Sequence, residues 1–211
     1  MPPLIDISIT LRAGTPEWPG DTPFTCGWTW RLADGASVNV STLTTSPHVG
    51  THADAPLHVR DGARASDELP LEPFIGRAMV VDVSGFDGEI DRETLRSAGM
   101  VEVPERLLLK TGRTITQGPF PSSWPALAAT CAATLAADGL QLLGVDCPSV
   151  DLRDSTALAV HHALFDGGAY ILENLDLTQV SDGAYDLVAP PVKLGGLDAA
   201  PVRAVVRALH E

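Results

Sequence analysis

Cysteine is scarce in this chain, and what little there is excludes two kinds of architecture. The 211 residues hold three cysteines, Cys26, Cys131 and Cys147, which are widely spaced and form no CxxC pair. An odd number without such spacing argues against a thiolate zinc site and against a disulfide framework. We therefore expect three buried free thiols.

Basic residues and long apolar runs are scarce as well. Lysine and arginine number 14 against 27 acidic residues, for a net charge of −13. Nucleic acid is excluded as a partner on this ground, because binding it requires a basic surface. No apolar run approaches the roughly 18 residues of a membrane span. The N-terminus has no basic region followed by an apolar run, as a signal peptide would, so a cytoplasmic location is expected.

The composition and patterning predict a single mixed α/β domain over residues 1–211. Hydrophobic residues make up 45% and charged residues 19%, as in a soluble protein with a core. No repeat or long linker divides the chain. Apolar and β-branched runs predict strands at 4–11, 25–32, 37–45, 78–83, 106–110, 140–145, 169–172, 187–193 and 202–209.

Helix signals separate several of these strands. Asp91 is placed to cap a short helix, and 156–165 is expected to be a short helix or turn. The clearest helix is predicted at 123–138, with Ser122 or Ser123 as its cap, Pro125 in its first turn and Gly139 as its stop. The succession strand, helix, strand indicates at least one parallel pair of strands.

The stretch SPHVGTHADAPLHVRDG, residues 46–62, concentrates groups that bind metals or move protons. His48, His52, Asp54 and His58 all occupy even positions, so an extended backbone would send them to one face. Full extension would place His48 and His52 roughly 13 Å apart, too far for one metal ion. We therefore expect a kinked, extended loop that bends at Gly50 and carries a metal site.

A second group consists of His161, His162 and Glu173, which leaves His210 as the one histidine outside both groups. A carboxylate that ends an apolar run is costly to bury unless it is paired or bound to a metal. Taken alone, the group is better explained by a surface carboxylate and a histidine pair that caps a helix. The first group needs more ligands, however, and this favours metal binding. Asp146 and Asp151 are interpreted only as supporting or capping groups.

Imidazole and carboxylate ligands without thiolate suit zinc, with manganese or iron as substitutes. Asp54 could bridge two metals, which would activate a water and polarise a carbonyl oxygen. His58, four residues beyond Asp54, would then be free to act as general base and general acid. Trp18, on a loop rich in proline, would either pack over a core edge or form a ligand wall.

The string H-V-G-T-H-A-D-A-P-L-H at 48–58 resembles the H-x-G-T-H-x-D-x-P-x-H motif of the cyclase family of metal-dependent hydrolases. The similarity extends to D-I-S near the N-terminus, PEWPGDTPF around Trp18, LLGVDCPSVD at 142–151 and LDAAPVRAVVRAL at 197–209. Within the family, the chain is most similar to the members that hydrolyse aromatic formamides.

The resemblance implies a swivelling β/β/α core, a homodimer and two zinc ions per subunit. By motif match it implies His58 as the acid–base residue, Trp18 as a contact of the aromatic substrate, and as metal ligands His48, His52, Asp54, His161 and Glu173. Asp54 and Glu173 would bridge the two ions. His161 is chosen over His162 by its spacing to Glu173, after which the resemblance leads us to expect a glycine where this chain has Asn174.

Two other functions remain open at this stage. Another amidase of the same family, acting on a cyclic imide, lactam or isatin-like substrate, would use the same motif. A non-catalytic metal-binding protein is the alternative from a different class, although His58 and Glu173, whose loss it would entail, are both present.

Overall fold

A nine-stranded mixed sheet forms the centre of the protein. The computed structural model describes residues 2–116 and 119–209. Within these residues the strands are β1 Ile5–Asp6, β2 Thr25–Trp30, β3 Val40–Thr44, β4 His52–Asp54, β5 Ile75–Asp82, β6 Glu89–Ile90, β7 Arg106–Lys110, β8 Ala126–Leu127, β9 Leu142–Val145, β10 Tyr170–Glu173, β11 Gly183–Val188, β12 Ala199–Pro201 and β13 Val205–Ala208.

The described residues also form three α-helices, namely α1 Arg92–Ser97, α2 Ala129–Ala137 and α3 Ala159–Asp166. Short 3-10 helices lie at Leu32–Asp34, Pro56–His58, Ser66–Glu68 and Glu72–Phe74. None of the helices in the described part of the chain is long and apolar enough to span a membrane. The Asp91 carboxylate caps α1 as predicted, because it accepts a hydrogen bond from the Thr94 backbone N–H at 2.8 Å.

The strand order in the large sheet is β1-β13-β11-β5-β7-β9-β10-β4-β12. The four central strands β5, β7, β9 and β10 run parallel, and the flanking strands pair antiparallel. Ser8, just after β1, also forms a bridge with Leu175, just after β10, so the sheet curls back on itself. The predicted mixed α/β class and parallel pairing are confirmed.

Strands β7, β9 and β10 are buried along nearly their whole length, which explains their largely apolar sequences. On β7, Leu107 and Leu109 pack with the three helices, whereas Leu108 between them faces the opposite core. That second core is formed with the curled strands and includes Ile7, Phe74 and Leu187. The alternation follows from the two-residue period of a strand.

Several predicted boundaries are wrong. The helix expected at 123–138 begins only at Ala129, because Ala126 and Leu127 pair with β6 and are drawn into β8. The strand expected at 187–193 is β11, which ends at Val188 before Pro190 and Pro191 interrupt the hydrogen bonding.

Other predictions differ from the structure in extent. The opening strand expected at 4–11 is reduced to the two residues of β1 and the bridge at Ser8. Cys131 and Cys147 are buried as expected, but Cys26 is exposed because it lies on the hairpin of β2 and β3. His210 lies outside the described residues.

Candidate metal centre and active site

Pairing between β4 and β10 joins the two groups of polar residues found in the sequence. The register sets His52 opposite Glu173 and Ala53 opposite Leu172. Directly opposed residues project to the same face, so the buried carboxylate of Glu173 lies beside the His52 ring, with Glu173 Oε2 3.5 Å from His52 Nε2. Asp54, two residues further along β4, shares this face.

A bend at Gly50 brings His48 to the same point. Gly50 has a φ of +74°, and a Cβ there would lie 2.4 Å from Leu11 Cδ2, so the position favours glycine for two reasons. The bend leaves His48 Nδ1 3.1 Å from His52 Nε2. The predicted kink is confirmed, although His52–Asp54 form a strand of the sheet and not a loop.

The N-terminal turn of α3 supplies His161. The Asp151 carboxylate caps this turn by accepting hydrogen bonds from the backbone N–H groups of Val160 and His161 at 3.0 and 3.1 Å. His161 Nε2 then lies 3.3 Å from Asp54 Oδ2 and 3.5 Å from Glu173 Oε1. The short helix or turn expected at 156–165 is α3, Ala159–Asp166, so His161 lies in its first turn.

The cluster consists of Asp54, Glu173 and the rings of His48, His52 and His161. In each ring one nitrogen faces the cluster, while the other donates a hydrogen bond to an oxygen outside it. His52 Nδ1 donates to the Gly50 carbonyl at 2.8 Å, His161 Nδ1 to Asp151 at 2.6 Å and His48 Nε2 to Asp198 at 2.9 Å. Such outer partners fix the tautomer of histidines that bind metals and aim the free lone pair inward. Asp151 is thus both a cap and a supporting group, as predicted.

The cluster strongly perturbs the pKa values of its members. Burial opposes protonation of His52, but the Asp54 charge and hydrogen bonds to Asp54 and Glu173 outweigh it and raise the pKa to about 10. In the same way, hydrogen bonds to Asp151 and Asp54 outweigh burial and raise the pKa of His161 to about 10.

Hydrogen bonds to Asp198 and Asp54 likewise outweigh burial and raise the pKa of His48 to about 9. The pKa of Asp54 is held well below its ordinary value, since the His52 charge and three histidine hydrogen bonds outweigh burial. The site therefore holds carboxylate charge that favours the binding of a cation.

The residues present fit a bound metal. Asp54 Oδ1 is buried and accepts no well-aligned hydrogen bond from the described residues, although His48 Nδ1 and His52 Nε2 lie 3.1 and 3.2 Å away. One group of possible ligand atoms within 4.8 Å of one another belongs to His52, Asp54 and Glu173, and a second to His48, Asp54 and His58. Nitrogen and oxygen donors of this kind suit zinc.

His58 stands at the rim of this cluster, at the end of the 3-10 helix Pro56–His58. Its ring lies 4.3 Å from that of His48, centroid to centroid, and its Nδ1 is 3.3 Å from Asp198 Oδ2. Asp198 was missed by the sequence reasoning. It falls within the quoted stretch LDAAPVRAVVRAL, but nothing near it in sequence marks it as a partner of residues from the motif.

A cavity of about 300 Å³ opens beside the cluster. Its apolar walls are Pro16, Trp18, Phe120, Pro148 and Leu158, and its polar lining consists of Asp21, His48, His58, Ser149, His161, Glu173 and Asn174. Trp18 is 40% exposed and makes edge-to-face contacts with Phe120 and Trp124, at centroid distances of 5.5 and 5.9 Å. It therefore both packs on a core edge and lines the cavity.

Asn174 occupies the position after Glu173 where the resemblance suggested glycine. Its φ of +56° lies in the left-handed region, which asparagine tolerates better than most residues. The Asn174 carbonyl accepts a hydrogen bond from Thr51 Oγ1 at 2.6 Å, so the turn is tied to the first motif.

The fold and this cluster together define a protein of the metal-dependent hydrolase type, and comparison with known proteins identifies the family. The family described as "Putative cyclase" matches residues 5–152, so the chain belongs to the cyclase family, as the motif predicted. A kynurenine formamidase of Bacillus cereus is 43% identical over 203 residues, which cover 96% of each chain.

Solved structures agree with this assignment. A potential metal-dependent hydrolase with cyclase activity superposes with a TM-score of 0.84 at 25% identity, covering 99% of both chains. A predicted metal-dependent hydrolase from Bacillus stearothermophilus superposes with a TM-score of 0.81 at 26% identity, covering 97% of both chains.

Proposed function

We propose that this protein hydrolyses N-formyl-L-kynurenine to L-kynurenine and formate, a step in tryptophan degradation. The observation that carries the choice of substrate is the 43% identity, over 96% of both chains, to a kynurenine formamidase. The convergence of three imidazoles and two carboxylates beside an aromatic-walled cavity supports the chemistry.

The metal is proposed to be zinc, two ions per chain, with manganese as a possible substitute. The residues that would hold it are His48, His52, Asp54, His161 and Glu173. When bound, zinc supplies a Lewis acid for a carbonyl oxygen and lowers the pKa of a bound water toward about 7. The buried Asp54 Oδ1, which accepts no well-aligned hydrogen bond from the described residues, supports this assignment.

His58 is proposed to be the acid–base residue. Its side chain is 30% exposed, it lines the cavity, and its Nδ1 faces Asp198. Its Nε2 would take a proton from the water that adds to the formyl carbon. The same nitrogen would return the proton to the anilide nitrogen as the C–N bond breaks, because an arylamide leaves poorly without protonation.

Trp18 is proposed to hold the aromatic ring of the substrate. The exposed part of its indole belongs to the cavity wall, while Phe120 and Trp124 fix its orientation from behind. A rigid aromatic surface of this kind binds a flat ring without losing much side-chain entropy.

A homodimer is proposed as the functional assembly, with residues 1–211 as one domain in each subunit. The hairpin of β2 and β3 supports the dimer. It is a two-stranded sheet of its own and exposes large apolar side chains, namely Trp28, Trp30, Leu32, Val38 and Leu43. An isolated hairpin is marginally stable in water, so a second copy is the expected cover. The cytoplasmic location stays a prediction.

The proposal is tested by assaying the purified protein with N-formyl-L-kynurenine before and after complete metal removal. A panel containing isatin, a cyclic imide and a lactam separates this function from the other amidases of the family. Turnover of the formamide that disappears with the metal and returns with zinc would support it. Preference for a ring-opening substrate would contradict it.

A further inference from the structure

One oxygen atom of Asp198 lies between two histidines of the site. Asp198 Oδ2 is 2.9 Å from His48 Nε2 and 3.3 Å from His58 Nδ1. The first is the nitrogen of the proposed metal ligand His48 that points away from the cluster. The second is one of the two ring nitrogens of His58, the proposed acid–base residue. The cluster and the proton-transfer group thus share a single carboxylate.

The backbone holds Asp198 in this place. Its carbonyl accepts a hydrogen bond from the Ala55 N–H at 2.9 Å. The next residue, Ala199, opens β12 and pairs directly with Asp54 in β4. The position of the carboxylate is therefore fixed relative to the strand that carries His52 and Asp54.

A carboxylate can only accept hydrogen bonds, so both ring nitrogens that face it must carry a proton. For His48 this leaves the lone pair on Nδ1, the nitrogen that faces Asp54 and His52. For His58 it leaves Nε2 as the nitrogen that exchanges a proton. Among the described residues, no hydrogen bond engages that atom.

We propose that Asp198 is a positioning residue that fixes the tautomers of both histidines, turning His48 toward the metal cluster and His58 Nε2 toward the substrate. The part that concerns His58 rests on the proposed function. The part that concerns His48 requires only that the cluster binds metal.

The two parts predict different losses. Without Asp198, His48 can present either nitrogen to the cluster, and metal affinity falls by about 10–100-fold, as for other outer partners of metal ligands. His58 loses its orientation as well. The formamide is then slowed more than an activated ester, because His58 both activates the water and protonates the leaving arylamine in the first case but only activates the water in the second. An arylamine needs one, whereas 4-nitrophenolate leaves as a stable anion.

The experiment compares Asp198→Ala and Asp198→Asn with the wild type, using N-formyl-L-kynurenine and 4-nitrophenyl formate as substrates at saturating zinc. We expect kcat for the formamide to fall by about 10–100-fold and kcat for the ester to fall by a smaller factor. Zinc affinity, measured by competition with a chromogenic chelator, should fall in parallel. In a His58→Ala background, Asp198→Ala should cost no further formamide turnover.

The matched control is Asp67→Ala. Asp67 Oδ1 accepts a hydrogen bond from the Gly196 N–H at 2.9 Å, so this variant loosens the same loop without touching either histidine. This variant should change kcat for the formamide and kcat for the ester by the same factor. If Asp198→Ala slows both substrates by the same factor, or adds fully to His58→Ala, the role toward His58 is overturned.

Unchanged zinc affinity in Asp198→Ala would overturn the role toward His48. A wild-type protein that binds zinc but leaves the formamide intact would contradict the proposed function alone. The chelator competition would still decide the part of the inference that concerns His48.

Discussion

Glu173 and His52 are direct cross-strand partners in β10 and β4, although they lie far apart in sequence. This single pair converts two sequence motifs into one site, because the register places the carboxylate and the imidazole on the same face. Asp54 follows on β4, His48 is returned by the bend at Gly50, and His161 is added by the first turn of α3.

His161→Ala and His162→Ala form a matched pair of neighbours. His161 is 2% exposed and points Nε2 at Asp54, whereas His162 is only partly buried and lies outside the cluster. We expect His161→Ala to lose bound zinc, by elemental analysis, and to lower kcat/KM by more than about 100-fold. For His162→Ala, kcat/KM should stay within about twofold of the wild-type value. Equal effects of the two substitutions would remove His161 from the site.

Asp54→Asn should abolish stable metal binding. The substitution keeps the shape of the side chain but removes the charge that faces three histidines, so the attraction for a cation is lost. Zinc content after gel filtration is the measurement. Asp182→Asn, an exposed position outside the site, serves as the control. Retention of two zinc ions per chain by Asp54→Asn would contradict the proposed role of Asp54 as a metal ligand.

The same charges make the stability of the metal-free protein depend on pH. His48, His52 and His161 have folded-state pKa values raised to about 9–10, above the ordinary 6.5. The folded state therefore binds more protons than the unfolded chain. The stabilisation is complete below pH 6.5 and is lost as the pH rises through 9–10. The carboxylates are ionised in both the folded and the unfolded state across this window, so their lowered pKa values do not make stability depend on pH there.

Thermal unfolding of the chelator-treated protein between pH 6 and 10 measures this effect. The expected midpoint temperature falls across the window, and zinc, which replaces the protons, should raise it most at the alkaline end. A midpoint of the metal-free protein that rises from pH 6.5 to 9 would show that the three rings are not protonated as described.

Trp18→Ala should weaken substrate binding more than it slows turnover. Aromatic contacts of this kind contribute about 0.5–1.5 kcal/mol beyond area burial, which corresponds to a rise in KM of about 2–10-fold. Trp18→Phe keeps a flat ring and should recover most of the loss. Steady-state kinetics on both variants decide the point, and an unchanged KM in Trp18→Ala would remove Trp18 from the substrate wall.

Leu43→Glu tests the proposed dimer. Leu43 is 63% exposed on the hairpin of β2 and β3, and a charge there would be buried against a second copy. Sedimentation should show a monomer for this variant and a dimer for the wild type. Leu71→Glu, at a 55% exposed position away from the hairpin, should leave the assembly unchanged. A wild-type monomer would contradict the proposal.

Much of this site could be predicted because its residues lie in local patterns. The even spacing of His52 and Asp54 and the glycine between His48 and His52 carry the geometry within one short segment. Asp198 could not be found in this way, since its contacts with His48 and His58 depend on the pairing of β12 with β4. The start of α2 was misjudged for the same reason, because pairing of Ala126 and Leu127 with β6 overrides the local helix signals.

The proposed function is tested most directly by measuring turnover of N-formyl-L-kynurenine by three forms of the protein. These are the zinc-loaded protein, its metal-free form and His58→Ala, with zinc content measured on each. We expect turnover only when zinc is bound, and His58→Ala should keep its zinc while losing most turnover. Full turnover by the metal-free protein would contradict the proposed metal-dependent hydrolysis, and full turnover by His58→Ala would contradict the acid–base role of His58.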